Sequence, residues 1–218
     1  MNYIVKLLGV SRIILPKNRD IIRLFGQSNY LGFIEGGYIL EDREKLIKER
    51  IIEEEHVEEM QLKGIKTKVW EILTKEKKFY PGEIEIDSEF NLALSDCEVT
   101  VSIDFIVNCP SESFMVIKCS PTALESWERY VISFARVIKD YQIPYAVVTD
   151  GNNARIIDVL TGSIVSESLK SLFNRKEALD KMKDFKKVQW PANKLEREKR
   201  IIYAFEGIKC PTLKDSGD

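Results

Sequence analysis

The run EVTVSIDFIVNC, residues 98–109, constrains the fold more than any other stretch of the chain. Its β-branched and aromatic residues stand on both faces of a strand, too apolar for a sheet with one side open to water. Across a PSES turn, SFMVIKC at residues 113–119 is the next strand, so the two predict a hairpin. Each run carries, beside apolar neighbours, a charge that a dry strand does not tolerate alone. These are Asp104 within the first run and Lys118 at the end of the second.

The rest of the chain arranges itself around that hairpin. Residues 41–73 space Leu46, Ile47, Ile51, Ile52, Val57, Met60, Leu62, Ile65, Val69, Trp70, Ile72 and Leu73 at helical intervals. Gly64 predicts a kink or a division into two helices, and Pro81-Gly82 a stop. GEIEIDSEF predicts a strand from Glu83. The stripe Leu124, Trp127, Val131, Phe134, Ala135 and Ile138 predicts a helix over 122–141. YAVVTD then reads as a buried strand, DGNNA as a tight turn and ARIIDVL as the returning strand. Two polar amphipathic helices follow at 175–187 and 193–206, split by Trp190-Pro191. Before all of this, Asn29–Phe33 and Gly37–Leu40 flank a Gly36-Gly37 hairpin signal. The order predicts an α/β fold: a mixed β-sheet flanked by helices (residues 46–168), an N-terminal αβ extension (1–45) and a C-terminal helical segment (169–218).

Composition narrows the chemistry. The chain's single histidine, His56, sits in an acidic helical run, which excludes a His-rich zinc site and a two-histidine scheme. A metal here would be hard and oxygen-bound, such as Mg²⁺. Cys97, Cys109, Cys119 and Cys210 show no CxxC spacing and predict reduced thiols in a cytoplasmic protein. No apolar run approaches the ~20 residues of a membrane span, and the apolar start MNYIVKLLGVSRIILPK reads as folded structure. Net charge is −2, but residues 170–214 hold thirteen bases and six acids, while 41–60 hold nine acids and four bases. The basic tail can touch phosphate; a solvated helix face explains it equally well.

Asp104 within VSIDFIVN, the strand end Ile117-Lys118-Cys119-Ser120-Pro121, and YQIPYAVVTDGNNARIIDVLTG together resemble the N-terminal nuclease domain of type I restriction enzyme R subunits, within the PD-(D/E)xK superfamily. The resemblance covers about residues 55–165 and is strongest from Pro144 to Asp158. LEREKRIIYAFEGIKCP resembles stand-alone bacterial members of the group. The resemblance implies a restriction-endonuclease-like fold and, in active members, Mg²⁺ held by a strand Asp and the Glu of a Glu-x-Lys pair. There the Lys acts on the water and on the developing phosphorane charge. Asp104 matches the metal-binding Asp, with Ile103 in place of the usual Pro. Lys118 falls where the Glu belongs and Ser120 where the Lys belongs. Tyr130–Phe134 lacks the Gln of the Gln-x-x-x-Tyr seen in some relatives. Glu59, or its neighbour Glu58, corresponds to the helix acid. Arg129 and Arg136, seven apart on one helix, are candidates for DNA phosphate.

Strand alternation puts Lys118 on a face where it can meet Asp104. Such a pair neutralises a buried charge and removes a metal ligand at once. At ~4 Å and an effective dielectric near 20, a unit-charge contact is worth about 4 kcal/mol, and a divalent ion feels a multiple of that. Glu125, Glu85 and Asp87 are the acids able to compensate. The residues also admit plainer roles: Asp104 as a turn cap or Arg136 partner, Lys118 as a lysine snorkelling from a strand end. Three functions stay open. One is a nuclease-like domain degenerate at its metal site and still contacting DNA. The others are a Mg²⁺-dependent DNA nuclease with a relocated acid and a protein-interaction module. Partners would be DNA, a second copy of the chain or restriction–modification subunits.

Overall fold

A computed structural model describes residues 4–5, 13–14, 38–95, 98–110 and 112–208. The chain forms two compact units, Met1–His56 and Val57–Asp218. In the first, strands β1 (Ile4–Val5) and β2 (Ile13–Ile14) pair antiparallel. The Gly36-Gly37 hairpin signal lies outside the described residues. Tyr38–Leu40, read from the sequence as its second arm, instead open helix α1 (Tyr38–Glu71).

The α1 helix runs through Gly64 without a break and ends in a π-helical turn, Ile72–Glu76. The helix is not divided there because one glycine costs a helix only about 1 kcal/mol against Ala. Packing on either side of Gly64 more than offsets that, since Leu62, Ile65, Val69 and Leu73 all join the core. Earlier apolar positions do not: Leu46 and Ile52 are 62 % and 64 % exposed. His56 is also exposed, as its acidic surroundings predict.

The second unit is built on a six-stranded mixed sheet in the order β3-β4-β5-β6-β7-β8. Its strands are β3 (Ile84–Ala93), β4 (Glu98–Cys109), β5 (Glu112–Cys119), β6 (Tyr145–Thr149), β7 (Asn153–Asp158) and β8 (Ser163–Ser168). All neighbours are antiparallel except β5 and β6, which are parallel and joined through helix α2 (Glu125–Val137). The β4–β5 hairpin forms as the sequence predicts. So does the Asp150-Gly151 turn, where the Asp150 carboxylate accepts from the amides of Asn152 and Asn153 and Gly151 takes φ 84°. β8 was not legible: SIVSES is polar and almost wholly exposed, so it carries no burial pattern. Helices α3 (Arg175–Lys183) and α4 (Ala192–Ile208) complete the unit.

Both faces are covered over the central strands, which explains why the second half of β4 and β5 are mainly apolar. On one face Phe105, Ile117, Cys119, Val147 and Ile156 pack with Val69 and Leu73 of α1 and Ala178 of α3. On the other, Ile103, Ile106, Val116, Val148 and Ile157 pack with Tyr130, Val131 and Phe134 of α2 and Ile202 of α4. Cys109 and Cys119 are free buried thiols; burial pushes Cys109 up to about 11. Among the described residues, no helix is long and apolar enough to cross a membrane.

Candidate functional site

Pairing in the sheet stops where the charges sit. The last β4–β5 pair is Phe105–Ile117, and Asp104 and Lys118 would come next. On its other side β4 pairs Phe105 with Ile86 and Ile103 with Ser88, leaving Asp87 out of the ladder at φ 49°. That left-handed conformation is tolerated by Asp far better than by most side chains. Asp104 thus lies at a local opening between three strands, where its carboxylate substitutes for missing backbone partners.

The carboxylate is 3 % exposed and fully engaged. Its Oδ2 accepts from the backbone amide of Cys119 at 2.7 Å and lies 3.0 Å from the Lys118 ammonium. Its Oδ1 is 2.8 Å from the ammonium of Lys66, which reaches in from α1 and also contacts Asp87. The pair expected from the sequence therefore forms, and a second lysine joins it. Lys118 is 8 % exposed, with its ammonium 5.5 Å from the centroid of the Trp127 ring. Burial pushes the Lys66 ammonium down, but hydrogen bonds and charge from Asp104 and Asp87 outweigh it and hold Lys66 above its ordinary range.

Sequence reasoning missed Lys66. Glu59, the candidate helix acid, is exposed on α1. Lys66 lies seven residues later, on the same helix face about 10 Å further along the axis. The residue that α1 brings to Asp104 is basic. Ser120 is buried beside the cluster, its amide donating to Thr149 O and its hydroxyl engaged with Thr122.

The compensating acids are engaged elsewhere. Glu125 pairs with Arg155 at 2.5 Å, Glu85 accepts from Asn108 at 2.7 Å, and Asp87 shares Lys66. Among the described residues, no three of His, Cys, Asp and Glu converge as a metal would require. The donor set does not fit Mg²⁺: of its two carboxylates, Asp104 is held by two ammonium groups and an amide, and Asp87 shares the Lys66 ammonium. Arg129 and Arg136 turn inward to α4: Glu198 is 2.8 Å from Arg129 and 3.5 Å from Arg136, and accepts from Ser133 at 2.6 Å. Arg136 also stacks on Trp190 and donates to Val159 O, so Asp104 does not serve as its partner.

A family model described as Type I restriction enzyme R protein N terminus (HSDR_N) matches residues 65–172. No curated protein and no solved structure matches the chain. Over residues 65–172, which hold all six strands of the mixed sheet together with Lys66, Asp104, Lys118 and Ser120, the chain belongs to the type I restriction enzyme R protein N-terminal family.

Proposed function

We propose that this chain is a nuclease-like domain in which lysines have taken the place of a divalent metal, and that it contacts DNA without cutting it. One observation carries the reading: Asp104, the residue aligned with a metal ligand, is bound on both oxygens by Lys66 and Lys118. A divalent ion arriving there would meet two positive charges in contact with Asp104, one of them shared with Asp87. Phosphodiester cleavage in such a fold relies on the metal to stabilise the developing charge and to supply the nucleophile. Ser120, at the position of the catalytic lysine, is uncharged and cannot stand in for it. The alternative of an active nuclease needs a free acid near Asp104, and Glu85, Asp87 and Glu125 each have other partners. The family match and the basic C-terminal segment support DNA contact.

The test is incubation of the full chain with single-stranded and duplex DNA in Mg²⁺ or Mn²⁺, alongside binding at several salt concentrations. The expected result is intact DNA, bound with an affinity that falls steeply as salt rises. Metal-dependent cleavage lost in Asp104→Asn would identify an active nuclease instead. Intact DNA and no binding at low salt would leave protein interaction as the function.

A further inference from the structure

The π-helical end of α1, the following segment Lys78–Pro81 and the start of α3 line an open cleft of about 620 Å³, distinct from the Asp104 cluster. That size falls within the range of small-ligand sites. Phe79, Pro81 and Leu179 make its surface mainly apolar, while Tyr80, Lys78 and Lys176 supply an aromatic ring and two cations. Tyr80 is 60 % exposed, with the Arg175 guanidinium centred 4.2 Å from its ring centroid.

The charges around the cleft are unevenly satisfied. Glu83 holds Arg175 at 2.7 Å, Glu177 caps the Asn174 amide at 2.9 Å, and Asp180 pairs with Lys183 at 2.7 Å. Lys78 and Lys176 make no ion pair or hydrogen bond among the described residues. The acids are occupied internally and two ammonium groups remain for a ligand.

Lys78 is also in a conformation that does not suit it. The π-helical turn closes with Lys77 N donating to Ile72 O and Phe79 N to Leu73 O, and Lys78 between them takes φ 64°. This is the helix-terminating position where glycine is the usual residue, because a side chain there is strained. A lysine at such a position, its ammonium beside a cleft, is a local cost that folding alone does not require.

We propose that this cleft binds single-stranded nucleic acid, one base lying on Tyr80 and the apolar floor, with the flanking phosphates on Lys78 and Lys176. Apolar floor, exposed aromatic and unpaired cations are the combination by which proteins hold single strands without reading sequence. The inference rests on the DNA-contacting reading above and assigns it a location.

The test measures full-length protein with a fluorescent twelve-residue oligothymidylate, and in parallel with a duplex, by anisotropy across a salt series. Each lost phosphate contact lowers the slope of log affinity against log salt by about 0.7 for a single strand. Lys78→Gly and Lys176→Gln are each expected to lower it by that amount, and the double variant by about 1.4. Tyr80→Leu, which keeps the apolar bulk, is expected to weaken binding about fivefold or more. Lys78→Gly should at the same time raise Tm by about 2 °C, since it relieves the left-handed strain. Binding lost together with a higher Tm cannot be put down to misfolding. If the single strand binds equally well to the double variant, the cleft is not the site, while DNA contact stands. Wild-type protein that binds neither DNA at low salt overturns both.

Discussion

Asp104→Ala is expected to destabilise the domain by about 3–5 kcal/mol, read as a lower urea midpoint at unchanged slope. The substitution leaves Lys118, nearly buried, and Lys66, half-buried, without the anion that they share. It also strips the Cys119 amide of its acceptor inside the sheet, a loss that alone costs about 1–3 kcal/mol and overlaps the first. The sign of the change distinguishes the two accounts of the site. In a metal centre without its metal, carboxylates repel one another, so removing one stabilises the protein. Here the acid is the counter-ion of a cationic cluster, so removing it destabilises. Asp104→Leu combined with Lys66→Met and Lys118→Met should recover most of the loss, because a buried ion network can be replaced by apolar side chains at little net cost. The same network gives an alkaline signature. The Lys66 ammonium is held above its ordinary range in the folded state, so its contribution is complete below the unfolded value near pH 10.4 and is lost as pH rises through the higher folded value. Wild-type stability should therefore decline in that alkaline window, and more steeply than that of Lys66→Met.

The second large effect is at the other end of the sheet's opposite face. Glu198→Ala is expected to cost about 3–5 kcal/mol and to loosen α4. Glu198 is 2 % exposed and joins Arg129, Ser133 and Arg136 of α2 to α4. Without it Arg136 stays buried, with Val159 O and the Trp190 ring as its remaining contacts. Burial already pushes the Arg136 guanidinium down, and Glu198 is the charge that opposes this. Arg129, 42 % exposed along its side chain, can hydrate, so Arg129→Ala should cost well under half as much. Hydrogen exchange should show Ala192–Ile208 losing protection first in Glu198→Ala. Equal protection in variant and wild type would mean that Ile202 and its apolar neighbours hold α4 alone.

Much of this was legible in the chain, for identifiable reasons. EVTVSIDFIVNC and SFMVIKC are apolar on both faces because both faces are covered, and that burial writes itself into sequence. The Asp104–Lys118 pair was legible because two charges in dry strands need each other. Other features leave no such trace. β8 is an edge strand with almost no buried face, so nothing in SIVSES marks it. Lys66 was hidden because a lysine on an amphipathic helix normally faces solvent, and only the folded contact with Asp104 reveals it. Arg129 and Arg136 illustrate the converse. Their seven-residue spacing gave them a shared face, but the residue that decides what they contact, Glu198, lies 62 positions beyond Arg136. The helix acid was sought at Glu59 because spacing along a helix fixes the face and not the turn.

The most direct measurement at the Asp104 cluster is a Mn²⁺ titration of the apo protein, following free Mn²⁺ by its electron paramagnetic resonance signal. With Lys66 and Lys118 on Asp104, and Lys66 also on Asp87, free Mn²⁺ should track total Mn²⁺ into the millimolar range, in wild type and Asp104→Asn alike. Saturable uptake of one ion per chain, abolished by Asp104→Asn, would show that a metal displaces those lysines and that the site is a nuclease centre after all.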